Sequence, residues 1–243
     1  FSPLVYPGQT VHGSAYLPEY GQAAYVSLYV RDAHSGKIFE GEKAELEKGK
    51  WKELSFNIPA MEGALIDEMG FCFHVQGTHT QIFDFVGLID DLYADGQAAY
   101  TIELEKEREE IWTVLHKEIS QFTKLKGLMY LEDGQMHLSC SDFAETYTGR
   151  HDWEDYSVKF YFTPLTGENH MVNVRVQGAI RSYAVGLLPD EKVAILKNDN
   201  GYRVMAETDF PWKPGQEYVI QVTVKGNKIE AELDGGCKLN FTD

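Results

Sequence analysis

Cysteine is scarce in this sequence: Cys72, Cys140 and Cys237 are the whole complement, widely spaced and odd in number. That pattern describes neither a disulfide framework nor a zinc finger, so stability must come from apolar burial. Basic charge is also short. Only 22 Lys and Arg stand against 38 Asp and Glu, a formal net charge of −16. An acidic surface repels phosphate, which excludes nucleic acid and anionic membrane as partners. No apolar run is long enough to span a bilayer. Also lacking are a phosphate loop, a nucleophile elbow and a Cys/His finger. His12, His34, His74, His116, His137, His151 and His170 are scattered, without the helical spacing that metal ligands on one helix require. Reduced thiols and an acidic composition fit a cytoplasmic setting. The chain opens on Phe1 instead of Met and reads as a fragment of a longer protein.

What is present is β pattern from end to end. Ala24 to Arg31 places Val26, Leu28 and Val30 on one face and Tyr25, Ser27, Tyr29 and Arg31 on the other, the two-residue period of a half-buried strand. Thr10–Leu17, Trp51–Ile58, Gly70–Gln76, Phe85–Tyr93 and Ala98–Leu104 continue the series, with Phe71, Phe73 and Val75 inward. In the second half, Glu132-Asp133-Gly134, Asn198-Asp199-Asn200-Gly201, Gly226-Asn227 and Asp234-Gly235-Gly236 each separate two apolar runs, which predicts hairpins. The fold class is therefore all-β, two tandem antiparallel β-sandwich (jelly-roll) domains. The charge run ELEKEREE at Glu103–Glu110 marks the boundary: residues 1–104, an acidic connector 105–118, and 119–243.

Candidate functional residues follow from strand periodicity. In the stretch from Met171 to Gly186, Val172, Val174 and Val176 face a core, while Asn173, Arg175 and Gln177 face outward with Arg181 and Tyr183 beside them. Amide and guanidinium donors next to a flat ring suit a hydroxyl-rich ligand, and Glu145 and Tyr147 are predicted to line the same face. A second patch, Tyr25, Tyr29, Arg31, His74 and Gln76, serves a sugar or a docking partner equally well. Asp90 and Asp91 alternate across a strand, so they cannot readily share one proton or one metal. Paired acids across a cleft cannot be established from spacing, and no catalytic residue is assigned.

Resemblances to known families attach to particular segments. Pro7-Gly8-Gln9-Thr10, Tyr25–Asp32, Gly49–Leu54 and Val86–Leu92 make residues 1–104 resemble galactose-binding-like carbohydrate modules. That resemblance implies a jelly roll with a structural Ca²⁺, for which Asp91 is the candidate ligand. Trp153–Tyr156, Val174–Gly178 with Arg181-Ser182-Tyr183, Trp212–Gly215, Tyr218, Val224–Asn227 and Leu233–Gly235 resemble the concanavalin-like, laminin-G-like sandwich. Its relatives include a domain of the 3-keto-disaccharide hydrolases. It further implies a strand or two beyond Asp243, leaving this domain incomplete at its C-terminus. The tandem is similar to the C-terminal accessory region of bacterial ADP-ribosylglycohydrolase-like proteins, whose helical two-metal catalytic domain has no counterpart in this sequence. The expectation is a non-catalytic region with a carbohydrate ligand and no cofactor beyond that calcium. The alternatives are a module that docks its own catalytic domain or another protein, and a sugar-processing enzyme of the 3-keto-disaccharide hydrolase type.

Overall fold

The computed structural model describes residues 5–61, 65–75, 85–107, 109–113, 116–119 and 121–243. The chain divides into two compact units, Phe1–Gly149 and Arg150–Asp243. The architecture is all-β and antiparallel, as the periodicity requires. No helix among the described residues is long and apolar enough to cross a membrane.

The first unit begins with β1 (Thr10–Tyr16), β2 (Ala24–Asp32), β3 (Ile38–Glu40), β4 (Ala44–Glu45), β5 (Trp51–Asn57), β6 (Ile66–Val75) and β7 (Leu88–Asp95). One sheet runs β5-β1-β7; the other has β2 paired to β6 along one side and to β3 and β4 along the other. Their inner faces meet as a sandwich. Val11 and Ala15 of β1 and Val26, Leu28 and Val30 of β2 are buried, packed by Leu54, Phe56, Phe71 and Phe73. Gly13 is what lets the Phe71 ring approach β1, since a Cβ there would lie 2.4 Å from its ring carbon.

Residues 98–104, predicted as a closing strand, form none. Ala99 N–H bonds the Pro7 carbonyl at 2.8 Å, Tyr100 stacks on Tyr6, and Leu104–Lys106 is a short 3-10 turn. A segment held by one stacked ring and single hydrogen bonds needs no ladder partner. The acidic segment 105–118 likewise lies within the first unit. It contributes that turn and a backbone hairpin of β8 (Glu109–Thr113) and β9 (His116–Ile119). After it come β10 (Thr123–Lys126), β11 (Leu128–Glu132), β12 (Gln135–Ser139) and β13 (Glu145–Tyr147), paired β10-β13 and β11-β12.

The second unit contains β14 (Tyr156–Phe162), β15 (His170–Val174), β16 (Arg181–Leu188), β17 (Lys192–Asp199), β18 (Tyr202–Asp209), β19 (Tyr218–Lys225), β20 (Lys228–Leu233) and β21 (Cys237–Thr242). Two four-stranded sheets, β14-β19-β20-β21 and β15-β16-β17-β18, bury one core between them. Tyr218, Ile220, Val222 and Val224 of β19 alternate inward, against Val185, Leu187, Val193 and Ile195 of the facing sheet. Each such side chain contributes about 1.5–3 kcal/mol by leaving water. All four predicted turns form. Asp133-Gly134, Asn200-Gly201 and Asp234-Gly235 adopt paired positive φ, the geometry Asx-Gly supplies at little cost. Asp190-Glu191 does the same without a glycine.

Candidate functional site

An open surface that gathers ligand-type groups is the outer face of β5-β1-β7. With Val11, Gly13 and Ala15 buried, Thr10, His12, Ser14 and Tyr16 must point outward. Register then sets four ranks of three across the sheet: Trp51–Tyr16–Leu88, Glu53–Ser14–Asp90, Ser55–His12–Tyr93 and Asn57–Thr10–Asp95. Asp90 and Tyr93 share this face because β7 carries an extra residue. Asp91 takes φ +53°, its N–H donates to Asp90 Oδ1 at 2.9 Å, and the pairing shifts between His12 and Ser14. A bulge of this kind reverses the face on which all later residues fall.

The two aromatic ranks are held differently. Trp51 is 51% exposed and lies tilted beside Tyr16, ring centroids 5.4 Å apart. Tyr93 is 50% exposed and stacks on His12 at 4.9 Å, while His12 Nε2 meets Asp95 Oδ1 at 2.9 Å. At strand rise the two ranks stand about 14 Å apart. Between them lie Glu53, Ser14 and Asp90. Flat rings take the C–H face of a pyranose, and carboxylates and hydroxyls take its O–H groups.

The second face predicted from sequence is the outward side of the β2 sheet. Tyr25 lies opposite His74, and Arg31 opposite Glu68. Gln76 lies outside the described residues. Tyr29, Arg31 and His74 are already engaged with neighbouring side chains. Arg31 forks onto Asp67 at 2.9 and 3.1 Å, and Tyr29 donates to Glu68. Ser27 donates to Glu40 Oε1 at 2.6 Å, and His74 Nε2 sits 2.5 Å from the same oxygen. Lys43 Nζ reaches His74 Nδ1 at 3.3 Å. A lysine ammonium can only donate, so Nδ1 accepts and the ring proton sits on Nε2, aimed at Glu40. Serine and histidine thus both spend their protons on one carboxylate, and no nucleophile–base pair forms. Ser27's hydroxyl, helped by His74 and Lys43, holds the Glu40 carboxyl below its usual range against the opposing effect of burial. Burial, with the Glu40 charge beside it, pushes the Cys72 thiol up.

In the second unit the middle stretch departs from the alternation read in the sequence. β15 ends at Val174, and Arg175 turns left-handed at φ +51°. Val174 is therefore 2% exposed and in the core, while Val176, predicted inward, is 47% exposed. Arg175 binds the fold to itself: Nε donates to the Glu154 carbonyl at 3.0 Å, Nη1 to the Gly226 carbonyl and Nη2 to Asp155 Oδ1 at 3.2 Å. Its backbone N–H bonds the Tyr156 hydroxyl at 2.7 Å. Tyr183 lies opposite Val174 and packs on the core, whereas Asn173 lies opposite Ala184 on the reverse face. The Tyr183 hydroxyl donates to Asp243 Oδ2 at 2.6 Å, alongside Lys197. Gln177 and Arg181 are exposed at the ends of the intervening loop, joined by a backbone hydrogen bond. Glu145 and Tyr147 belong to β13 of the first unit. Within the second unit, Asn173 and Tyr183 face opposite ways, and Arg175 and Tyr183 serve the sandwich.

Asp91 joins no group of three ligand-type side chains among the described residues. The one such group found there is Glu40, Cys72 and His74. No protein-family model and no curated protein sequence matches this chain. Among solved structures, the chain is similar to the carbohydrate binding module CBM66 from Bacillus subtilis. The identity is 16%, over 51% of this chain and 80% of that one, with a TM-score of 0.46.

Proposed function

We propose that the chain is a non-catalytic carbohydrate-binding region that positions a larger hydrolase, of the ADP-ribosylglycohydrolase-like kind, on its substrate. The binding surface is the outer face of β5-β1-β7. The observation that carries this reading is that Trp51 and Tyr93, each half exposed, flank hydroxyl and carboxylate groups on one open sheet face. Three carboxylates on that face, Glu53 and Asp90 between the rings and Asp95 beyond Tyr93, with a chain charge of −16, direct the surface toward neutral glycans and away from acidic ones.

Calorimetry of the whole chain against neutral and acidic oligosaccharides, guided by a glycan array, tests the reading. Neutral glycans bind, and Trp51→Ala and Tyr93→Ala each weaken binding at least about tenfold, or about 1.4 kcal/mol. Silence across the array, or full affinity in the double variant, overturns it.

A further inference from the structure

Glu40, Cys72 and His74 are three ligand types on two strands, brought together across β2. Cys72 and His74 stand two apart on β6 and so share a face, and Glu40 reaches them from β3 on the far side of Ser27. Their donor atoms lie within 4.8 Å of one another. The His74 ring and the Glu40 carboxylate keep 29% and 28% of their exposure, enough to admit an ion and too little for full hydration. Ser27 is fully buried and fixes the carboxylate by its hydroxyl, as outer groups around metal ligands do. The pocket already attracts a cation: the Lys43 ammonium sits 3.3 Å from His74 Nδ1 and 3.9 Å from Glu40 Oε1, on a side chain that is half exposed and free to swing away.

We propose that Glu40, Cys72 and His74 form a site for a thiophilic divalent cation of the zinc type, with one coordination position left open. Thiolate, imidazole and carboxylate together match zinc in hardness and charge, and an all-oxygen calcium shell does not. The ion replaces the proton now held between His74 Nε2 and Glu40 Oε1. Those atoms are 2.5 Å apart and open to about 3.3 Å around a tetrahedral ion, within reach of side-chain rotation. Cys72 gives up its thiol proton to solvent, the ring proton moves to the other nitrogen, and Lys43 leaves. The site lies on the opposite sheet from the β5-β1-β7 face and does not rest on the saccharide reading.

The test titrates the whole chain, stripped of metal, with Zn²⁺ against a chromophoric chelator, and separately with Co²⁺. One ion binds, and cobalt gives a thiolate charge-transfer band and the visible absorption of a tetrahedral centre. Cys72→Ser, His74→Ala and Glu40→Gln each lower affinity at least about tenfold, and Cys72→Ser abolishes the charge-transfer band. Lys43→Gln, on the surface and harmless to folding, raises affinity severalfold by removing the resident ammonium. Absence of the band, zinc affinity unchanged in Cys72→Ser, or no gain in Lys43→Gln overturns the proposal. So does binding that survives loss of both Cys72 and His74, which identifies adventitious sites elsewhere.

Discussion

The outer face of β5-β1-β7 and the 171–186 stretch look alike as sequence, since both alternate apolar residues with amide, hydroxyl, basic or aromatic ones. In the folded chain they part company. Arg175 has Nε and both terminal nitrogens bonded to Glu154, Gly226 and Asp155, and Tyr183 gives its hydroxyl proton to Asp243. Trp51 and Tyr93 are half bare, and Glu53 is exposed and forms no salt bridge among the described residues. Residue type selects what a surface could bind; the share of donors already consumed inside the fold decides whether it can.

The comparison breaks most visibly at Arg175. Arg175→Ala removes charge-assisted bonds that join the end of β15 to the start of β14 and to the β19–β20 turn. It lowers stability by about 2–4 kcal/mol by denaturant titration and leaves saccharide affinity as it was. Trp51→Ala behaves in reverse, with about a tenfold loss of affinity and less than about 0.5 kcal/mol of stability. If Arg175→Ala instead weakens glycan binding at unchanged stability, the two faces exchange roles.

A pH dependence separates the units further. His170, in β15, packs edge-on against Trp212, and its Nε2 is buried with no hydrogen-bond partner among the described residues. Burial pushes its pKa below 6.5, against a smaller opposing effect from the Gly167 backbone. Below about pH 6.5 the unfolded chain therefore holds more protons than the folded one. Stability is full above that pH and falls as pH drops toward the lower native value. Thermal scans of wild type and His170→Phe between pH 7.5 and 5 reveal it: the wild-type midpoint falls and that of the variant changes less. The smallest expected effect is at Glu191, left-handed at φ +55° without being glycine. Glu191→Gly stabilises the second unit by about 1 kcal/mol, read from the same scans.

Much of the fold was legible in the residues. Val26, Leu28 and Val30 announce β2 by alternation, and Asp133-Gly134 and Asp234-Gly235 announce turns because few other pairs accept two positive φ values. Strand partners were not legible. Nothing in TVHGSAY or WKELSFN states that Tyr16 will lie opposite Trp51, because pairing is set by contacts distant in sequence. The domain boundary was read from charge at 105–118, yet a charged run can form a hairpin edge as readily as a linker, and the division falls at Gly149. Arg175 misled for a similar reason: regular alternation through Val176 gave no sign that the strand stops two residues earlier. A Cys-x-His pair on a strand was visible at 72–74, but Glu40 joins it only through β2.

The bulge at Asp91 makes the composition of the β5-β1-β7 surface a matter of counting. Delete that single codon and Asp90 and Tyr93 stand two apart, so Leu88, Asp90, Tyr93 and Asp95 keep their partners on β1 in a regular ladder. Fill the strand without the bulge, with all of its residues kept, and Leu92 and Ala94 take the outer places of Tyr93 and Asp95. Two ranks of candidate ligand groups then lose their β7 member without any other side chain being altered. One irregular residue thus decides what half of the strand shows to solvent, while the sandwich beneath it stays intact.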